Sequence, residues 1–282
     1  MSKFLEFTKL QGAGNDFIII EDLKGAINLT SENIRWLCDR HFGIGADGLM
    51  LVQPPRNPEA DFFMFFYNPD GTVAEMCGNG IRCFAKYLYE HCLTNQKKIK
   101  IETLGGAKDV RLIFDGMDVS GAKVDMGRFS FKKDEIPVIF EKETVIDEKI
   151  RVAGQSFNVT CVSTGNPHCV IFVEEISRAP VNTIGPKIEK LKMFSKKTNV
   201  EFAQVIKESE IKLRVWERGA GETLACGTGA CATVAAANKL GLTGKRVLVR
   251  LPGGDLEIEI LNDSILMTGP AKEIFTGKIH LT

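Results

Sequence analysis

Net charge is the first thing this sequence lacks. Its 36 Lys and Arg are offset by 36 Asp and Glu, so nothing in the balance favours nucleic acid or an anionic membrane surface as a partner. The small basic cluster at Lys192, Lys196 and Lys197 reads as a solvated face. Long apolar runs are missing too, none approaching the roughly 18 residues of a spanning helix. Residues Met1 to Glu6 have no apolar core of the kind a signal peptide carries, so a cytoplasmic protein is expected. The 8 cysteines include no C-x-x-C pair, which argues against a structural zinc or thioredoxin-type site. In a reducing compartment an even cysteine count in so long a chain is no disulfide framework. There is no metal constellation and no convincing Schiff-base lysine motif, so neither metal nor pyridoxal phosphate is expected.

What is present is a matched pair. The stretch Asn68 to Ile81 aligns without a gap on Glu217 to Ala230, placing Cys77 on Cys226, and Cys-Gly-Asn-Gly on Cys-Gly-Thr-Gly. Each leads into an apolar helix, expected over Ile81 to His91 and over Ala230 to Leu240, the latter closed by Gly241. Each cysteine therefore sits at a helix start, where free N–H groups and the positive end of the dipole lie. Such a place lowers a thiol pKa from about 8.5 and offers donors to a carboxylate or phosphate. The other six, Cys38, Cys83, Cys92, Cys161, Cys169 and Cys231, fall on apolar patterns and read as buried small hydrophobes.

The echo extends upstream, where Gly14-Asn15-Asp16 and Gly165-Asn166-Pro167 each turn into an apolar, strand-like run. An offset of about 150 residues means duplicated domains, since solenoid units are only about 20–50 residues long. The length also suggests about two domains. Strands are expected at Phe4–Leu10, Phe17–Glu21, Leu49–Gln53, Asp61–Tyr67, Lys98–Thr103, Ala107–Phe114 and Val119–Met126. A second set follows at Phe157–Cys161, Cys169–Val173, from Thr198, Ile211–Trp216, Arg246–Leu251, Leu256–Leu261 and Ser264–Thr268. Helices are expected near Ser31–Cys38 and Ile184–Leu191. Residues Glu273 to Leu281 come after the second set is complete and are expected to return and pair with the first unit. Gly43-Ile44-Gly45-Ala46-Asp47-Gly48 reads equally as a tight turn or a substrate contact.

The helices after the cysteines have almost no polar face and must be enclosed. The expected fold is α+β, with two pseudo-symmetric domains from an internal duplication. Each is a mostly antiparallel sheet or barrel wrapped around a central apolar helix, with the active site in the cleft between them. The expected limits are 1–118 plus 272–282, and 119–271.

Two matched thiols suit inversion of a stereocentre. Proton transfer of that kind needs a base on one face of the carbon and an acid on the other. Two helix N-termini would stabilise the charge developing on a substrate carboxylate.

The paired cysteine segments resemble the two active-site signatures of the diaminopimelate epimerase family. Gly12-Ala13-Gly14-Asn15-Asp16-Phe17, Gly43 to Gly48, Gly165-Asn166-Pro167-His168 and Glu217-Arg218-Gly219 match further family motifs in order. The resemblance implies a cofactor-independent epimerase, in lysine biosynthesis, converting LL-2,6-diaminopimelate to the meso form, and a homodimer. It implies Cys77 and Cys226 as the acid/base pair, with Gly78, Asn79, Gly227 and Thr228 supplying amides to the reacting carboxylate. Asn15, Asn68, Asn166, Asn199 and Arg218 resemble substrate-binding positions, Arg218 suiting the distal carboxylate. His168 and Glu217 resemble the polar pair near the reacting amino group. Taken singly, the asparagines would read as turn residues, His168 as a strand-end histidine and Arg218 as a surface charge. Where some members carry Gln this chain has Gly48. The alternatives are a histidine- or proline-type racemase on the same fold, a phenazine-type isomerase, which lacks the thiol pair, and a non-enzymatic duplicated binding protein.

Overall fold

Alternation sets the first strand. In β1 (Lys3–Gly12) Phe4 and Glu6 face solvent while Leu5 and Phe7 are buried, the period-two pattern of a sheet covered on one face. The computed structural model describes residues 3–281 and resolves into two units. Unit 1 runs to Asp125 and resumes at Thr268; unit 2 is Met126–Met267. The first unit thus extends past the expected limit of 118, because residues up to Val124 still pair with their neighbour strand. Met1, Ser2 and Thr282 lie outside the described residues.

Unit 1 continues with β2 (Asn15–Glu21), α1 (Ser31–Cys38), β3 (Gly48–Gln53), β4 (Phe62–Tyr67), a short β5 (Val73–Ala74), α2 (Gly78–Glu90), β6 (Lys98–Thr103), β7 (Gly106–Asp115) and β8 (Asp118–Arg128). Helix α1 begins where the sequence says: Thr30 caps it, accepting from the Asn33 N–H while Asn33 returns the bond. The run Ile18-Ile19-Ile20 is buried throughout because its strand is covered on both faces. Ile18 and Ile20 join Leu49 and Leu51 in the cluster under α1, and α2 packs against β1, β2, β6 and β7.

Unit 2 holds β9 (Glu148–Val152), β10 (Gln155–Ser163), β11 (Pro167–Phe172), α3 (Val181–Glu189), β12 (Asn199–Lys207), β13 (Glu210–Glu217), β14 (Gly221–Thr223), α4 (Gly227–Lys239), β15 (Arg246–Leu251), β16 (Gly254–Leu261) and β17 (Ser264–Pro270), which ends in unit 1. Cys169, Ile171, Val200 and Phe202 form the core with α3, and α4 packs against β10, β11, β12 and β16. Helix α3 starts three residues before the expected Ile184, since Pro180 fixes the entry and Pro186 is accommodated inside. The final strand, β18 (Lys272–Leu281), returns to pair antiparallel with β1.

The duplication is written in the pairings. Within each unit most pairs are antiparallel, with two parallel steps at matching places: β2 to β3 and β4 to β6 in the first, β11 to β12 and β13 to β15 in the second. The added edges also match, β18 on β1 and β9 on β10.

Both central helices begin three residues earlier than expected, so the Gly-x-Gly lies inside the first turn rather than before it. First-turn N–H groups have no partner four residues back, and each cysteine supplies one. Nearly every residue of α2 from Gly78 to Leu88 is buried, and α4 is buried from Gly229 to Ala237. Cys92 departs from expectation. It is exposed, with φ +57°, at the end of α2, the left-handed place that Gly241 (φ +71°) fills after α4. The other five expected core cysteines are buried.

Candidate active site

Each cysteine is the N-cap of its helix in extended backbone conformation. Cys77 Sγ accepts from Gly80 N–H, and Cys226 Sγ from Gly229 N–H, both at 3.4 Å. The cap orients the sulfur over the helix start, as a serine or aspartate oxygen would.

In unit 1 the Cys77 thiol faces Asn15 Oδ1 at 3.8 Å. That oxygen also accepts from Asn79 Nδ2 at 3.3 Å. Asn15 Nδ2 donates to Asp47 Oδ2 at 2.8 Å, and Asp47 pairs with Arg40 at 2.7 Å. From the other side, the fully buried Arg82 donates to Asn79 Oδ1 and to Gly78 O, each at 3.0 Å. Next to Asn15, burial works against the Asp16 carboxylate, but hydrogen bonds from Arg40 and Lys9 hold it well below the usual range. Asn68 is tied to its own turn, donating to Thr72 Oγ1 at 3.0 Å. Gly48 is a packing residue: a Cβ there would lie 2.4 Å from the Phe66 ring.

In unit 2 a polar chain runs to the sulfur. Glu201 Oε1 lies 2.7 Å from His168 Nδ1, and His168 Nε2 lies 2.8 Å from Asn166 Oδ1. Asn166 Nδ2 donates to Thr228 Oγ1 at 3.4 Å, and that hydroxyl is 3.5 Å from Cys226 Sγ. Asn199 braces two loops, donating to Pro167 O and accepting from Arg218 N–H, each at 2.9 Å. The Arg218 guanidinium donates to Lys196 O at 3.0 Å, and Glu217 accepts from Thr223 Oγ1 at 2.5 Å.

The structure therefore gathers Asn15 and Asn79 about Cys77, and His168, Asn166 and Thr228 about Cys226, while Asn68 engages its own turn and the Arg218 guanidinium reaches the segment before β12. Burial, then the Glu217 and Glu201 carboxylates, push the Cys226 thiol well above its ordinary value, outweighing the pull of the Thr228 hydroxyl and the Gly229 N–H. This reverses, for Cys226, the expectation that a helix start lowers a thiol pKa: the sulfur is nearly out of water and two anions stand close.

Three participants escaped sequence reasoning: Glu201, Asp47 and Arg82. For Glu201 the available signal is a carboxylate between Val200 and Phe202, and for Asp47 its place in the Gly43 to Gly48 motif. Among the described residues no group of three or more His, Cys, Asp or Glu could hold a metal ion, and no helix is long and apolar enough to cross a membrane.

A family model described as diaminopimelate epimerase matches residues 7–132 and 160–274, taking in both cysteine caps. The chain belongs to the diaminopimelate epimerase family. The chain is 51% identical over 277 residues to the diaminopimelate epimerase of Halothermothrix orenii, covering 98% of each. It is 46% identical over 280 residues to that of Moorella thermoacetica, covering 98% of this chain and 100% of the relative. Among solved structures it resembles a hydroxyproline epimerase from Agrobacterium vitis (TM-score 0.72, 13% identity, 99% of this chain and 93% of that one). It also resembles a PhzF-family phenazine biosynthesis protein of Bacillus anthracis (TM-score 0.71, 16% identity, 98% and 99%). At those identities the likeness is one of fold. Within the diaminopimelate epimerase family, the alternatives of another racemase, a phenazine-type isomerase or a binding protein lose their footing.

Proposed function

We propose that the protein interconverts LL- and meso-2,6-diaminopimelate by proton transfer between two thiols. The observation that carries the mechanism is the pair of cysteine N-caps at matched helix starts, Cys77 and Cys226. One sulfur, as thiolate, takes the α-proton. The other, as thiol, delivers its own proton to the opposite face of the same carbon. Protons balance, the configuration inverts, and the roles exchange in the reverse direction. In the direction that begins with Cys77 as base, Cys226 is the acid.

The charge that develops on the reacting carboxylate calls for donors, and the amides of Gly78, Asn79, Gly227 and Thr228 supply them at two helix starts. Asn15, Asn68, Asn166, Asn199 and Arg218 bind the rest of the substrate, Arg218 turning its guanidinium to the distal carboxylate. His168 and Glu217 attend the reacting amino group. This chemistry draws on no metal and no pyridoxal phosphate. On the same reading the enzyme serves lysine biosynthesis as a cytoplasmic homodimer, for which the family resemblance is the support; light scattering should then give twice the chain mass.

The deciding experiment incubates reduced protein with LL-diaminopimelate in deuterated water. Deuterium at the α-carbon together with meso product is expected, with loss of turnover in Cys77→Ala and in Cys226→Ala. An inert diaminopimelate alongside exchange of another amino acid would remove the substrate assignment. Unchanged turnover in either alanine variant would remove the two-thiol mechanism.

A further inference from the structure

Because the two units repeat one another strand for strand, the residues beneath the two thiols can be compared position by position. In unit 1, Phe17 of β2 stands opposite Gly48 of β3, and Met50 lies two residues on. In unit 2, His168 of β11 stands opposite Asn199 of β12, and Glu201 lies two residues on. The helices above agree with this match. A Cβ on Gly80 would lie 3.2 Å from Met50 Sδ, and one on Gly229 would lie 2.9 Å from Glu201 Oε1. An apolar pair, Phe17 and Met50, therefore occupies under the Cys77 cap the place that an ionisable pair, His168 and Glu201, takes under the Cys226 cap.

This difference has a cost. Phe17 and Met50 show that apolar residues fill the position, whereas His168 and Glu201 are both 0% exposed. Burying an ionisable pair costs desolvation that a well-packed apolar pair avoids. Among the described residues Glu201 Oε2 has no hydrogen-bond partner, and the side-chain contact the carboxylate makes is that of Oε1. Oε1 engages His168 Nδ1 at 2.7 Å, and from His168 the contacts pass through Asn166 and Thr228 to the sulfur.

We propose that Glu201 is a positioning residue of the Cys226 half-site: it fixes the His168 ring and, through Asn166 and Thr228, the orientation of the Cys226 thiol. The two thiols are then unequal by construction. Cys226 stands at the end of an ordered polar chain, and the Cys77 cap has an apolar floor at the corresponding place. The inference rests on the epimerase reading and adds the residue that orders one of its two acid/base groups.

The test replaces Glu201 by Met, the residue unit 1 uses there, and by Gln, which keeps an acceptor of the same shape. Ring nitrogens are read by NMR in ¹⁵N-histidine protein, where only 4 histidines contribute signals. In the parent, one fixed arrangement of protons on the two His168 ring nitrogens is expected. Glu201→Met is expected to lose that pattern and to lower kcat about 10- to 100-fold, the loss typical when a group that orients a reacting partner is removed, with KM within about threefold. Glu201→Gln is expected to keep the pattern and at least about a third of kcat. A folded Glu201→Met protein with a parental kcat, or with a parental ring pattern, overturns the proposal. Should Glu201→Met not fold, Glu201→Gln decides alone, and a kcat below about a third of parental overturns it. Failure of the epimerase reading shows differently, as a parent inert toward diaminopimelate whose His168 pattern still responds to Glu201→Met.

Discussion

Asn15 and Asn79 have no freedom in which end of the amide faces which neighbour. A carboxylate only accepts and a guanidinium only donates. Asp47 takes the Asn15 NH2, Arg82 fills the Asn79 oxygen, and the two remaining ends meet each other beside the Cys77 thiol. Asp47→Ala releases the Asn15 amide. Its side chain is 40% exposed, so the melting temperature should move little. The value of kcat/KM for LL-diaminopimelate should fall about tenfold, roughly 1.4 kcal/mol of transition-state binding. Parental kcat/KM in that variant would show that Asn15 needs no such support. At this scale the sequence is legible where residues repeat as a motif: Cys77, Cys226, Asn15 and Asn166 announce themselves through a matched context. Asp47 and Arg82 do not, because their role is to direct other side chains, and the partners come together only when β2, β3 and α2 have packed.

The helix starts can be tested with one pair of substitutions. Gly80 and Gly229 occupy equivalent places in the first turns of α2 and α4, where alanine gains up to about 1 kcal/mol of helix propensity. What lies beneath decides the sign. Gly80→Ala presses on Met50 Sδ at 3.2 Å, the end of a flexible side chain, whereas Gly229→Ala meets Glu201 Oε1 at 2.9 Å, an atom already bonded to His168. Gly80→Ala should leave stability near parental, and Gly229→Ala should cost about 1–3 kcal/mol, as overpacking does, with a larger loss of kcat. Equal melting temperatures and kcat in the two variants would sink this account. The strands that the sequence marks lie within a residue or two of their places, Lys98–Thr103 and Arg246–Leu251 to the residue, because alternation and turn glycines are local signals; β5, β9 and β14 are too short or too polar to be marked. The helix starts were misplaced because Gly-x-Gly weakens local propensity. Here a sulfur cap and the need for close approach to β3 and β12 override it. Cys92 was misread for a related reason: a residue past a helix end is placed by the left-handed turn, which an apolar pattern does not reveal.

For the whole molecule, the duplication is legible from two nearly equal offsets, and the paired parallel steps are its structural counterpart. What no offset could reveal is how the two units share the consequences of buried thiols. Burial pushes Cys38 and Cys83 in unit 1 up to about 12. In unit 2 a hydrogen bond with Cys161 and burial raise Cys169, and burial with two carboxylates raises Cys226. An unfolded thiol ionises near pH 8.5. Below that pH both folded and unfolded states hold the proton, and the native packing of these thiols contributes in full. Above it the unfolded chain loses protons that the folded one keeps, so stability falls as pH rises from about 8.5 towards the folded values. Each such thiol contributes a slope of up to about 1.4 kcal/mol per pH unit. Neither unit is spared, since each carries two. Melting temperatures in reductant should hold to about pH 8.5 and then decline. Cys83→Ala separates this effect from the titration of every other group. It should melt lower than the parent at pH 7.5, because a buried atom is lost, yet decline less steeply above pH 8.5, so that the two curves converge. Parallel curves up to pH 10.5 would mean that the Cys83 thiol titrates in the folded protein as it does in the unfolded one.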